Sequence, residues 1–328
     1  MSFLGVVLEL CAGLVLFLFG MSTMSKGLET AAGDKSKAVL KKMTDNAYVG
    51  VFTGIVVTAA IQSSSATTVM LVGFVASGLM PFKSTVPVLL GANIGTTVTA
   101  WLLSLSGIGT TSPLLNLLKP KYFAPVLAII GTVFAMTSKN EKKKTLGAIF
   151  IGFNVLIYGM EIMSDSVGGL AKSPSFAELL LKFDNPVLGV LTGAGVTAVI
   201  QSSSASVGIL QALSLTGTIT YDMAVPVIIG QNIGTCVTGL VSVIGADAKA
   251  KRVAVAQLLI NVFGMLAVLP LYLLTANYFG ISIGAKTVTP VSIATVHSLF
   301  NIVTVAIFMP FSGFIAKVSE KIVKENSQ

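Results

Sequence analysis

The stretch "QSSSATT" (62–68) sets a glutamine and three serines side by side in an otherwise almost wholly apolar run, and "QSSSASV" (201–207) repeats it. At that 139-residue shift, 53–105 superposes on 192–244 without a gap, with 23 identities in 53 positions. The identities cluster. "TGIVVTAAIQSSSA" faces "TGAGVTAVIQSSSA", "VPVLLGANIGTTVT" faces "VPVIIGQNIGTCVT", and upstream "FGMSTMS" (19–25) faces "YGMEIMS" (158–164). Self-similarity at a fixed shift marks a duplicated architecture. The chain therefore reads as repeat 1 (1–138), repeat 2 (139–276) and a remainder (277–328) holding an extra transmembrane helix and a cytoplasmic tail.

Composition names the solvent. With 54% hydrophobic residues, 10% charged residues and a mean hydropathy of +0.89, the chain is an all-α integral membrane protein, a polytopic helical bundle. Apolar segments recur at 3–20, 84–105, 121–137, 145–164, 224–245, 253–279 and 291–315. Each is about long enough, at about 1.5 Å per residue, to cross a hydrocarbon core of about 30 Å. The first segment is interrupted by Glu9 and lacks a small-residue cleavage site, so it reads as a membrane helix rather than a signal peptide. Cys11 and Cys236 lie far apart in apolar segments and support neither a disulfide nor a metal site.

Orientation follows from the basic residues. Clusters at 26–42, 139–144, 249–252 and 317–324 can all lie in the cytoplasm, as short basic loops prefer. That arrangement requires 46–80 and 185–221 each to return to the side it entered from. Under this re-entrant reading, with Lys83 inside, 16 of the 21 basic residues are cytoplasmic. The N-terminus is then outside, the C-terminus cytoplasmic, and the location the cell (inner) membrane. The net charge of +8 is mostly a topology signal; dispersed over short loops without interleaved aromatics, it does not point to nucleic acid.

Each re-entrant segment reads as two half-helices, 48–61 and 66–79 in the first, meeting at the serines. Fourteen helical residues extend about 21 Å, past the midplane but short of a full crossing. Asn93, in the helix that begins near Ser84, falls at a depth of about 14 Å, so Gln62–Ser65 and Asn93 are both expected at mid-membrane. One re-entrant segment and an odd number of crossings separate the copies, so the hairpins enter from opposite sides. The fold expected is an inverted-topology repeat with two re-entrant helical hairpins and a site at the repeat interface.

A helix broken inside a membrane leaves unpaired N–H and C=O groups, tolerated only where protein buries them or a water-filled cavity meets them. Serine hydroxyls cap such N–H groups or join them in binding an anion. Neutral oxygens of glutamine, asparagine, threonine and backbone suit sodium. No charged residue falls in 46–82, 84–105, 186–221 or 223–245. An uncharged site of donors and oxygens suits an anion bound together with small cations.

Tight helix packing competes as an explanation for serines and for the glycine pairs Gly91/Gly95 and Gly230/Gly234. Four consecutive polar residues, duplicated in register and each followed by "NIGT", exceed what packing needs. For the i, i+4 pairs Gln257/Asn261 and His297/Asn301, interhelical hydrogen bonding is the expected role. Glu9, Glu161 and Asp165 are expected at solvated helix ends.

The paired "QSSS" motifs, each followed by "NIGT", resemble the type II sodium-phosphate cotransporters in a compact bacterial form, over nearly the whole chain. The resemblance implies sodium-coupled uptake of inorganic phosphate by alternating access, with the lipid bilayer as surroundings and no cofactor beyond the coupling ion. It implies phosphate contacts from Ser63, Ser64, Ser65, Ser202, Ser203 and Ser204, and sodium contacts from Gln62, Asn93, Thr96, Gln201, Asn232 and Thr235. In one departure, Gln257 stands where a second histidine resembling His297 is expected. A transporter or channel for another small anion is the alternative. An intramembrane serine hydrolase would need a base beside the serines, and the chain has a single histidine.

Overall fold

The computed structural model describes residues 3–41, 46–105, 120–170, 185–278 and 284–324. The described residues are almost all helical and include no strand beyond an isolated bridge between Thr220 and Thr287. In chain order the helices are α1 (Phe3–Lys41), α2 (Ala47–Ile61), α3 (Ser64–Ala76), α4 (Phe82–Ser104), α5 (Pro120–Thr137) and α6 (Glu141–Leu170). There follow α7 (Pro186–Ile200), α8 (Ser203–Ser214), α9 (Tyr221–Ser242), α10 (Ala248–Tyr278), α11 (Pro290–Phe308) and α12 (Ser312–Ile322).

Seven of these, α1, α4, α5, α6, α9, α10 and α11, are long and apolar enough to cross a membrane, and they cover the seven apolar segments of the sequence. Large apolar side chains such as Phe52, Ile129, Met136 and Leu266 stand exposed on the outside, as a lipid-facing surface requires. Two boundaries differ from expectation. The first helix runs to Lys41 rather than 20, with its apolar part at Leu4–Ala31, so a polar extension continues where hydropathy stops. The last segment, expected to be unbroken over 291–315, ends at Phe308 and resumes at Ser312, because Pro310 has no N–H to carry the ladder forward. The resumed helix, α12, buries Ile315 and Ala316 against α4 and α10 and leaves Phe311 and Phe314 exposed.

Glycines reveal how the copies are arranged. A Cβ added to Gly20 of α1 would lie 2.6 Å from the Gly152 carbonyl oxygen of α6, and one on Gly152 would lie 2.8 Å from that of Gly20. Gly13 and Gly159 face each other in the same way, at 3.0 and 2.7 Å. Seven residues forward along α1 is thus seven residues backward along α6, so the two helices are antiparallel. They are also counterparts, since Gly20 aligns with Gly159 and Gly13 with Gly152. Aligned helices that pack antiparallel and exchange contacts reciprocally are related by a pseudo-two-fold axis across their length, the relation that defines an inverted repeat.

Within each repeat the short helix runs parallel to the long one that follows it. Gly54 abuts Val88 and Gly91, and Gly95 abuts Ile55 and Thr58; in the second copy Gly193 abuts Val227, and Gly234 abuts Ala194 and Thr197. α2 and α4 therefore start at the same end of the molecule. The return helix α3 comes back to that end within the few residues before Phe82. At about 1.5 Å per residue the four short helices measure roughly 18 to 23 Å, less than a hydrocarbon core. α3 packs on α9 and α10 of the opposite repeat, and α8 packs on α4 of the opposite repeat, on α6 of its own and on α11.

Candidate functional site

The break between α2 and α3 is built by Gln62. Its backbone takes the left-handed conformation, φ 61° and ψ 25°, which closes the helix with the Gln62 N–H donated to the Thr58 oxygen at 2.7 Å. A residue with a Cβ enters that region at a cost of about 1 kcal/mol, and among the described residues only Gln62 and Gln201 are non-glycines with positive φ. The glutamine side chain offsets the cost: its Nε2 donates to the Ala59 oxygen at 2.6 Å and its Oε1 accepts from Thr99 Oγ1 at 2.7 Å. Ser63 then caps α3, its Oγ accepting from Ala66 N at 3.1 Å. The second tip repeats the backbone, with Gln201 at φ 59° and ψ 25° and Ser202 Oγ accepting from Ala205 N at 3.2 Å.

The two tips line one cavity of about 670 Å³. Its walls are Gln62 to Ser65 from one hairpin, Val199 to Ala205 from the other, and Leu14, Leu18, Met21, Ser22 and Ser25 from α1. None of these residues is charged. The first turns of α3 and α8 both open on the cavity, so the positive ends of two helix dipoles and their free N–H groups meet there. Eight residues picked from sequence, Gln62, Ser63, Ser64, Ser65, Gln201, Ser202, Ser203 and Ser204, are thus brought together across the repeat axis. Ser22 and Ser25 escaped the sequence reading although "FGMSTMS" contains both; the alignment pairs Ser25 with Ser164 and Ser22 with Glu161, so the serines are not a duplicated motif.

Asn93, Thr96, Asn232 and Thr235 do not line that cavity. Gln62 is level with Thr99 on α4, six residues and about 9 Å beyond Asn93, so the tip and the asparagine are not at one depth. Asn93 Nδ2 donates to Asn261 Oδ1 of α10 at 2.9 Å, and Asn232 Nδ2 donates to Asn301 Oδ1 of α11 at 3.3 Å. His297 Nε2 lies 3.4 Å from Asn232 Oδ1. The interhelical role expected of Asn261, His297 and Asn301 is what the structure has; Gln257 differs, its backbone oxygen accepting from Asn261 Nδ2 within α10 while its buried Oε1 has no hydrogen-bond partner. Thr96 and Thr235 return their hydroxyl protons to the Ala92 and Gln231 oxygens, leaving hydroxyl lone pairs behind the cavity wall. Glu161 lies beside Lys121 at 3.9 Å.

A second polar cavity, of about 480 Å³, sits at the mouth of the first hairpin, where Lys83, Lys249 and Arg252 meet Asp247 and Glu320. Charged residues from three distant stretches of chain gather at one end of the molecule there.

Comparison with known proteins follows these features closely. No solved structure matches the fold. An uncharacterized Bacillus subtilis protein, YqeW, is 32% identical over 309 residues, covering 94% of this chain and 95% of its own length. The putative inorganic phosphate export protein YjbB of Escherichia coli is 25% identical over 98% of this chain, which spans 56% of that longer protein. Mouse sodium-dependent phosphate transport protein 2A is 35% identical over 100 residues, 30% of this chain and 16% of its own. The Na+/Pi-cotransporter family profile matches twice, at 16–165 and at 155–285, once for each stretch that carries a serine tip. The chain is a multi-pass membrane transporter, not an enzyme, and it belongs to the Na+/Pi-cotransporter family.

Proposed function

We propose that the chain couples sodium influx to uptake of inorganic phosphate, by alternating access between two closed-ended states. The observation that carries this reading is the uncharged cavity where two serine-capped helix N-termini from opposed hairpins meet. Phosphate, a tetrahedral anion rich in acceptor oxygens, is held by Ser63 to Ser65 and Ser202 to Ser204. An anion in a site without fixed cations is electrostatically costly, and bound sodium lowers that cost. Gln62 and Gln201 offer sodium their amide oxygens from the cavity wall, and Asn93, Thr96, Asn232 and Thr235 offer theirs from the layer behind. The short hairpins are re-entrant, with the basic mouth around Lys83 and Arg252 in the cytoplasm, the C-terminus on that side and the N-terminus outside.

Net flux in such a cycle follows the sodium gradient, which makes uptake the physiological direction in a cell that keeps sodium out. Efflux is the second reading, suggested by the E. coli relative, a putative inorganic phosphate export protein. The experiment is uptake of labelled phosphate into proteoliposomes holding the purified chain. Accumulation is expected with an inward sodium gradient, and a chain that moves no phosphate under either sign of gradient is not a phosphate transporter.

A further inference from the structure

The two tips share a backbone but not a side-chain arrangement. Gln62 is buried, only 6% exposed, and accepts the Thr99 hydroxyl at 2.7 Å. Its counterpart Gln201 is exposed to the cavity. Thr238, the counterpart of Thr99, holds its Oγ1 buried without a hydrogen-bond partner. The difference extends one turn down the helix. Thr58 and Thr67 share a 2.9 Å bond in repeat 1, whereas in repeat 2, where Ser206 stands in place of Thr67, Thr197 is fully buried with an unpartnered Oγ1. Backbone strain does not explain this, because the tips differ by 2° in φ and not at all in ψ. The seams of α2 on α4 and of α7 on α9 also match residue for residue.

Buried hydroxyls in folded proteins are paired, and an unpaired one asks for an explanation. We propose that Thr99 and Thr238 are alternating positioning residues of the transport cycle. In the state described here the first tip is latched, Gln62 on Thr99, and the second is released. In the opposite-facing state Gln201 turns inward onto Thr238 while Gln62 leaves Thr99 for the cavity. Pseudo-symmetry requires that exchange: an inverted repeat whose halves adopt two unlike arrangements reaches its other state by trading them. Each latch sits where the hairpin tip meets the long helix behind it, so making one and breaking the other moves an amide between buried wall and open cavity. The inference rests on the alternating-access reading and adds to it which hydroxyls distinguish the two states.

Thr99→Val removes a bond made in this state, whereas Thr238→Val removes one made only in the other. The two substitutions therefore displace the equilibrium in opposite directions, each by about 2- to 10-fold for a neutral buried hydrogen bond. The reporter is the full chain with Leu18→Cys in the cavity wall and Cys11→Ala and Cys236→Ser elsewhere. An impermeant maleimide is applied to intact cells and to inverted vesicles, without added phosphate. At the face from which Leu18→Cys reacts faster, labelling of the Thr238→Val protein is expected to exceed that of the Thr99→Val protein by at least about 4-fold. Thr99→Ser and Thr238→Ser, which keep the hydroxyl, return both rates to the parent value. Equal rates, a shift in the same direction for both, or a thiol reactive from neither face would overturn the latch. Labelling needs no transported ion, so the latch can fail while phosphate uptake stands, and phosphate uptake can fail while the labelling ratio holds. Serine rescue separates a hydroxyl effect from a packing effect, since threonine and valine match in shape.

Discussion

Lys83 and Asp222 occupy the same place in the two repeats and lie at opposite ends of the molecule. Lys83 shares a cavity with Lys249 and Arg252 at the start of α10, whereas Asp222 accepts a 2.8 Å hydrogen bond from the Tyr272 hydroxyl. Arg252 and Tyr272 are twenty residues apart on one helix, about 30 Å at its rise. Aligned positions that far apart along a spanning helix require the two copies to be upside down relative to each other.

Single cysteines at these two positions, in a chain lacking Cys11 and Cys236, convert that separation into a topology. Residue 222 is expected to react with an impermeant thiol reagent added to intact cells, and residue 83 only in inverted vesicles. Reaction of both from the same face contradicts the proposed orientation.

The cavity serines give the second prediction. Ser64→Ala and Ser203→Ala each remove a hydroxyl from a site that binds an anion largely out of water. Loss of a hydrogen bond to a charged group costs about 1.5 to 3 kcal/mol, so half-maximal uptake should require roughly 10 to 150 times more phosphate. Parent-like concentration dependence in both variants, with normal expression, would return the serines to a packing role.

Coupling gives the third. Among the described residues, no Asp, Glu or His lines the serine cavity, and a proton-coupled pathway needs a titrating group. Replacing sodium by choline at constant pH is expected to abolish gradient-driven uptake, and an inward proton gradient alone is expected not to restore it. Robust proton-driven uptake in sodium-free buffer is the result that sinks sodium coupling.

The pseudo-two-fold seam gives the fourth. A side chain at Gly20 meets the backbone of Leu156 and Gly152, whereas one at Gly73 meets nothing within 4 Å. Gly20→Val should lower stability by about 1 to 3 kcal/mol or more, since backbone cannot rotate aside. Gly73→Ala, in a helix interior with open space, should gain up to about 1 kcal/mol. Thermal melting of the two proteins in detergent should therefore shift in opposite directions.

Much of this architecture was legible because it repeats. Register alone exposed both tips, the glycine pairs and the alternation of short and long helices, and lysine placement supplied the inversion later seen in the Gly20 and Gly152 packing. Other features carry no such mark. Hydropathy cannot see α1 continue to Lys41, since a helix does not stop where its apolar face does. Ser22 and Ser25 reach the cavity only because α1 crosses α6 where it does. The sequence placed Asn93 beside the tip by counting rise from Ser84, but the parallel seam carries Gln62 on to Thr99. Most of all, Gln62 and Gln201 open the same "QSSSA" in both repeats, and register alone does not show that the first is buried on Thr99 while the second faces the cavity.

The parallel seam between each short helix and its successor keeps a fixed offset of 37 residues, pairing 54 with 91, 58 with 95 and 62 with 99. That offset acts as a ruler for descent with modification. The turn at 77–81 sits outside the ruled part, where Gly78 (φ 69°) already relaxes the chain, so residues can be gained or lost there while the tip keeps its place. A single residue inserted between 55 and 61 would rotate the tip by about 100° against α4 and carry the serines off the cavity. Length variation among relatives should accordingly collect at the hairpin mouths and spare the stretch from the seam glycines to the serines, even where the residues between them change freely.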